Sequence, residues 1–236
     1  MKILWIVPIT SVDDAELGKT AAFLKEYSFP ETEIVIRKVS RGTESVESRL
    51  DEVYVTVSIL DEILKGEKEG FGACVIGCAG DAGVAVAKDI AKIPIIGPGE
   101  ASILLSQLIG KRIVLLTSLP ERIPSIEDKV VRFIPRTQFF VYATNIPVVE
   151  FQKDVKKTIK TLVEIIQKSM EKDRVDTAIL LCLSMRGMAE EVQKRVGIPV
   201  IDPTIAALEM AQAMVKMKLS QAKRVYPFPP EKKRFL

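Results

Sequence analysis

"GACVIGCAGDAG" at residues 72–83 is an apolar run that stops at glycine, and it reads as a buried strand entering a Gly-rich turn. "TAILLCLSM" at 177–185 repeats that order. Cys78 and Cys182 each end a hydrophobic run, 104 residues apart, and an Ile-Pro pair follows 16 and 17 residues later, at Pro94 and Pro199. Self-similarity at this spacing points to two equivalent lobes. Working outward, the expected strands are Ile3 to Val7, Glu33 to Val39, "IPIIG" from 93, "RIVLLTS" at 112–118, "FFVYAT" at 139–144 and "IPVID" at 198–202. Helical periodicity fills the gaps: Asp13 to Tyr27, with Ala22, Phe23 and Leu24 on its buried side, a long helix to about Lys65, and Phe151 to Lys172. Thr43, with Glu47 four residues on, is a loose capping signal for the long helix. The fold class is therefore α/β: two pseudo-symmetric lobes, each a parallel sheet flanked by helices. Ligands of such sheets bind outside the carboxyl ends of strands, which puts the active site in the cleft between the lobes with a sulfur on each side.

Composition narrows the chemistry. The 236 residues include 0 His, 3 Cys and 1 Trp, so no Ser/His/Asp triad, Cys/His pair or His-rich metal site can be built. Lys and Arg number 34 against 31 acidic residues, giving a net charge of +3 without a basic stripe, so a nucleic-acid partner is not expected. No stretch is apolar enough to span a bilayer, and three scattered cysteines suit a reducing cytoplasm better than a disulfide framework. A single Asn, Asn145, with abundant Lys and Glu, is a composition like that of proteins from hot environments. The expected partner is a small-molecule substrate, with no metal, the chain acting as a homo-oligomer.

A cysteine just before a helix N-terminus is favoured as thiolate, and both Cys78 and Cys182 are expected in such positions. One sulfur as base and the other as acid, on opposite faces of a carbon beside a carbonyl, would move a proton across that carbon. The enolate needs preorganised donors. Candidates are the backbone N–H groups of Ala79, Gly80, Leu183 and Ser184 and the hydroxyls of Thr10, Thr117 and Ser118. The plainer reading of a free cysteine is a small buried filler, and it is the one assigned to Cys74; a redox pair would need sulfurs within disulfide reach. "CAGDAG" and "IGPGEAS" lack the full dinucleotide or Walker pattern. Asp81 is expected to cap the helix after Cys78 or to modulate the thiol, Glu100 to complement a helix dipole, and Arg186 to be a solvated helix residue or, alternatively, a clamp for a substrate carboxylate. "EKKRFL" at 231–236 reads as a solvated tail.

With these residues in place, the chain resembles the aspartate/glutamate/hydantoin racemase superfamily, and most closely its hydantoin racemase branch, over nearly its whole length. The resemblance is carried by Cys78, Gly80, Asp81 and "IPIIGPGEA", by "RIVLLTS", "LCLSM" and "GIPVID", and by Tyr226 followed by "PFPP". It implies a first lobe of residues 1–98 plus 206–236, the C-terminal helix packing back, and a second lobe of residues 99–205. It also implies cofactor-free racemisation of 5-substituted hydantoins or a similar cyclic ureide by Cys78 and Cys182, with Pro8 among the binding residues. The family's "NPNTS" is here "VPITS", so Val7 and Ile9 replace amides while Pro8, Thr10 and Ser11 persist. Leu183 and Ser184 stand where Ala and Gly are usual, and the Cys-Asn-Thr and Cys-Thr signatures of the amino-acid racemases are missing. Related decarboxylases keep one cysteine; this chain has both. The alternatives are an allantoin or amino-acid racemase, a maleate-type isomerase with one nucleophilic cysteine, and a non-catalytic small-ligand-binding protein on the same fold.

Overall fold

Ile3 to Ile6 on the first strand alternate between two cores, Ile3 and Trp5 facing one and Leu4 and Ile6 the other, and all four are buried. A strand covered on both faces is what a parallel sheet between helix layers requires. The computed structural model describes residues 1–232; the expected tail at 231–236 lies outside them from residue 233 on. Along the chain the strands are β1 (Lys2–Val7), β2 (Glu33–Lys38), β3 (Ala73–Ile76), β4 (Ile95–Ile96), β5 (Ile113–Thr117), β6 (Phe139–Ala143), β7 (Thr177–Leu180) and β8 (Val200–Ile201). The helices are α1 (Asp14–Glu26), α2 (Arg49–Lys68), α3 (Val84–Ile90), α4 (Pro98–Ile109), α5 (Ile123–Val130), α6 (Val155–Asp173), α7 (Ala189–Val196) and α8 (Pro203–Lys216).

The strands form two parallel four-stranded sheets, ordered β2-β1-β3-β4 and β6-β5-β7-β8. The second order is the first repeated, and the registers agree: Ile6 pairs with Ile76 at the end of β3, as Leu116 pairs with Leu180 at the end of β7. One apolar core runs through both sheets, holding Trp5 and Val75 from the first with Leu115 and Ile179 from the second. Helices cross between them. α4 follows the first sheet but packs on α8 and β7, while α8 follows the second sheet and packs on β3 and β4. Gln212, fully buried on α8, accepts the Phe29 N–H at 2.7 Å and the Thr32 hydroxyl at 3.0 Å, which ties α8 to the turn before β2.

Local differences from the sequence reading have physical causes. α2 is capped by Ser48, whose hydroxyl accepts the Asp51 N–H at 3.1 Å while the Asp51 carboxylate accepts from the Ser48 hydroxyl and the Glu47 N–H. That reciprocal box outcompetes Thr43, whose carbonyl instead accepts the N–H and hydroxyl of Thr10. Ala22 is exposed; Leu24 and Thr20 supply the buried face of α1. No helix among the described residues is long and apolar enough to cross a membrane.

Candidate active site

Cys78 and Cys182 each lie two residues past the end of β3 and β7, with the same pattern of backbone hydrogen bonds. The residue before each cysteine donates to the neighbouring strand, Gly77 to Ile6 at 2.7 Å and Leu181 to Leu116 at 2.8 Å. The N–H of each cysteine turns back on the strand end, Cys78 to Ile76 at 2.6 Å and Cys182 to Leu180 at 2.7 Å. Its carbonyl then receives the N–H three residues on, from Asp81 at 2.8 Å and Met185 at 2.9 Å. Equivalent sequence in two sheets has thus produced one turn twice. Both cysteines are free, half-buried, and line one cavity of about 580 Å³ between the lobes. That volume falls in the range of small-molecule sites.

The expected helix dipoles are not what surrounds the sulfurs. α3 begins only at Val84, after a turn in which Asp81 adopts a left-handed φ of 53°, and Cys182 precedes a single 3-10 turn at Leu183–Met185, with α7 starting at Ala189. Burial dominates instead and raises both thiols. Cys182 is pushed up to about 12, chiefly by burial and further by Cys78 and Glu47, against the N–H and hydroxyl of Ser184. Cys78 is raised by burial and Glu52, opposed by Arg122, Lys129 and the Ala82 N–H. Cys74 is fully buried in the strand and raised by burial alone, the filler it was read as.

Most of the remaining candidates come together. Pro8, Ala79, Gly80, Thr117, Ser118, Leu183 and Ser184 all line the cavity. The N–H groups of Ala79, Gly80 and Leu183 make no hydrogen bond among the described residues. Ser184 turns its N–H toward the Cys182 sulfur rather than into the cavity. Thr10 is a correction: it is exposed, bonded to Thr43 and outside the lining, where Ser11 takes part instead.

Asp81 is a second correction. Its carboxylate bypasses α3 and accepts the N–H groups of Gly99 at 2.8 Å and Glu100 at 2.9 Å, capping α4. This explains "IGPGEAS": a Cβ on Gly97 would stand 2.5 Å from Asp81 Oδ1 and one on Gly99 2.6 Å from Oδ2, so only glycine lets the two segments meet. In the second lobe the same tie is made from the other end. Asp202, the N-cap of α8, accepts the Gly187 N–H at 2.8 Å and the Thr204 N–H at 2.8 Å. Glu100 sits in the first turn of α4 and pairs with Lys88, as its dipole role requires. Arg186 is half-buried at the cavity and paired with Glu16 of α1, so it is not a solvated helix residue.

Sequence reasoning missed Arg122. It follows β5 in "SLPERIP", where a charged residue between two prolines gives no signal beyond a surface turn, yet it is 4% exposed and lines the cavity. Its Nη2 donates to Glu52 Oε1 of α2 at 2.7 Å, and its Nη1 has no partner among the described residues. Lys129, about two helix turns further along on α5, stands 3.6 Å from Asp81. Among the described residues no group of three or more His, Cys, Asp or Glu converges as a metal site would require.

Residues 10–211 match the Asp/Glu/Hydantoin racemase family. The chain belongs to that family. It is an isomerase of the racemase type, and the hydantoin racemase branch supplies its curated relatives. A hydantoin racemase from a Pseudomonas species is 30% identical over 238 residues, covering 100% of this chain and 94% of the relative. One from Rhizobium meliloti is 32% identical over 187 residues, covering 78% of each chain. Among solved structures, the allantoin racemase from Klebsiella pneumoniae superposes with a TM-score of 0.90 at 26% identity, covering 98% of this chain and 94% of that one. A maleate isomerase from Pseudomonas putida shares the fold at a TM-score of 0.67 and 16% identity, covering 90% of this chain and 91% of the other.

Proposed function

We propose that this protein racemises 5-substituted hydantoins bearing an apolar substituent, by two-base proton transfer between Cys78 and Cys182. The observation that carries the reading is the repeated turn that presents one thiol from each sheet to a single cavity. One sulfur, as thiolate, takes the proton from C5 of the ring, and the other, as thiol, delivers a proton to the opposite face. The electron pair rests meanwhile on the C4 oxygen as an enolate. The N–H groups of Ala79, Gly80 and Leu183 and the hydroxyls of Thr117 and Ser118 are the donors for that oxygen. Burial makes the thiolate scarce, but the same burial makes it a stronger base once formed, which suits a weak carbon acid.

The substituent pocket supports an apolar group. Val7, Ile9, Val12, Val148 and Val149 line the cavity, and the first two stand where the family's "NPNTS" has amides. A buried polar substituent without partners would cost about 1–3 kcal/mol.

Polarimetry on a panel of L- and D-hydantoins with aliphatic, aromatic and ureido substituents tests the reading. Loss of optical rotation is expected with the first two groups, and Cys78→Ser or Cys182→Ser should each abolish it. Full activity in either variant sinks the mechanism. Loss of alkene absorbance with maleate and no racemisation would favour the isomerase, and no turnover of any substrate would leave a binding protein.

A further inference from the structure

Cys78 and Cys182 share a backbone turn but not an electrostatic setting. Two cations from the other lobe face Cys78: Arg122, in the turn after β5, and Lys129 on α5. The carboxylate facing it is Glu52 of α2, already engaged with Arg122 Nη2. Gly80 is what admits the guanidinium, since a Cβ there would stand 2.6 Å from Nη2 and 3.3 Å from Cys78 Sγ. Arg186, the cation four residues after Cys182 at the same cavity, is engaged with Glu16. Cys78 and Glu47 oppose ionisation of Cys182, and the Ser184 N–H and hydroxyl favour it. Arg122 is also held at a cost: it is buried, has one carboxylate partner, and leaves Nη1 unpaired among the described residues. A thiolate beside it would offset that cost.

We infer that Arg122 is a positioning residue that sets the order of ionisation in the cysteine pair, so that Cys78 loses its proton before Cys182. This rests on the two-base reading and gives it an order. The ionised minority of the free enzyme carries its base on the Cys78 side. Proton abstraction makes Cys78 a thiol, Cys182 donates its proton to the other face and becomes a thiolate, and the C5 electron pair ends in the new C–H bond. Reset is one proton passing through solvent from Cys78 to Cys182, drawn in that direction by Arg122.

The test is the pH dependence of iodoacetamide alkylation in the full chain, each cysteine read separately by peptide mass spectrometry. Cys78 is expected to reach its half-maximal rate at a lower pH than Cys182. Arg122→Met should raise the Cys78 midpoint by about 1–3 pH units and leave that of Cys182 in place, and Arg122→Lys should restore most of it. Glu52→Gln should move the Cys78 midpoint down, which keeps the inference testable if Arg122→Met does not fold. Solvent deuterium exchange gives a second reading: Cys182→Ser should exchange the ring proton of one enantiomer, and Cys78→Ser that of the other only at higher pH. Equal midpoints, prior ionisation of Cys182, or a Cys78 midpoint unmoved by loss of Arg122 would overturn the inference. Alkylation needs no turnover, so failure to racemise would count against the proposed function and leave these midpoints to decide this point alone.

Discussion

Asp81 accepts the backbone N–H of Gly99 at 2.8 Å, and this bond fixes the Cys78 turn to the first turn of α4. Burial raises the Asp81 carboxyl from 3.8 to about 6, against Lys129 and the N–H groups of Gly99 and Glu100. The fold therefore favours the protonated acid: that contribution is complete below 3.8 and is lost as the pH climbs through about 6. Asp81→Ala should lose about 1–3 kcal/mol at pH 7.5 through its two N–H bonds. The gap from the parent protein should widen by up to about 3 kcal/mol at pH 4, from a shift of roughly two pKa units. Thermal melts at both pH values check this, and a gap that narrows on acidification would count against it.

Gly80→Ala tests the crowding around Cys78. The new methyl would meet Arg122 Nη2 at 2.6 Å and Glu52 Oε1 at 3.3 Å, so the ion pair must give way if the turn holds. The chain should fold, because the contacts are ends of side chains, but racemisation should fall by an order of magnitude or more, about 1.4 kcal/mol in the barrier. Circular dichroism with polarimetry separates the two; an active, fully folded variant would mean that the guanidinium position is immaterial.

Gly110→Ala probes stability away from the chemistry. Its Cβ would collide with Thr177 Oγ1 and Asp176 Oδ1 and lie 2.8 Å from Thr177 Cβ, where β7 begins and Asp176 accepts the Lys111 and Arg112 N–H groups. Backbone must move, at a cost of about 1–3 kcal/mol. Whatever fraction remains folded should keep the parent alkylation midpoints, read by mass spectrometry below the melting temperature.

What the sequence made legible follows from range. Buried parallel strands are apolar runs a few residues long, so β3, β5 and β7 could be read directly, and their repetition placed Cys78 and Cys182 in equivalent turns. The partners of those turns could not be read, because they come from distant segments. A capping rule looks three residues ahead, and on that rule Asp81 belonged to α3; its acceptor role is played eighteen residues away, at Gly99. Arg122 meets Glu52 seventy residues back in the chain, on the other lobe. The helix dipoles expected at the cysteines failed for a local reason, since each turn closes on itself before any long helix starts.

The substituent pocket offers the sharpest reading of specificity. Val7 is the last residue of β1, and Ile9 lies two residues beyond it, after buried Pro8. Val7→Asn with Ile9→Asn would restore amide donors and acceptors at the wall while keeping the backbone, because neither position has a positive φ. The parent should prefer an isobutyl or benzyl hydantoin to allantoin. In the double variant the ratio of kcat/KM for the apolar substrate over allantoin should fall by about 10–100-fold, the discrimination expected from partnering a buried polar group worth 1–3 kcal/mol. The change should lie in that ratio while the alkylation midpoints of Cys78 and Cys182 stay put, since the wall is remote from Arg122 in sequence and shares no hydrogen bond with it. A ratio left unchanged in a folded, active double variant would show that the substituent lies against another part of the cavity.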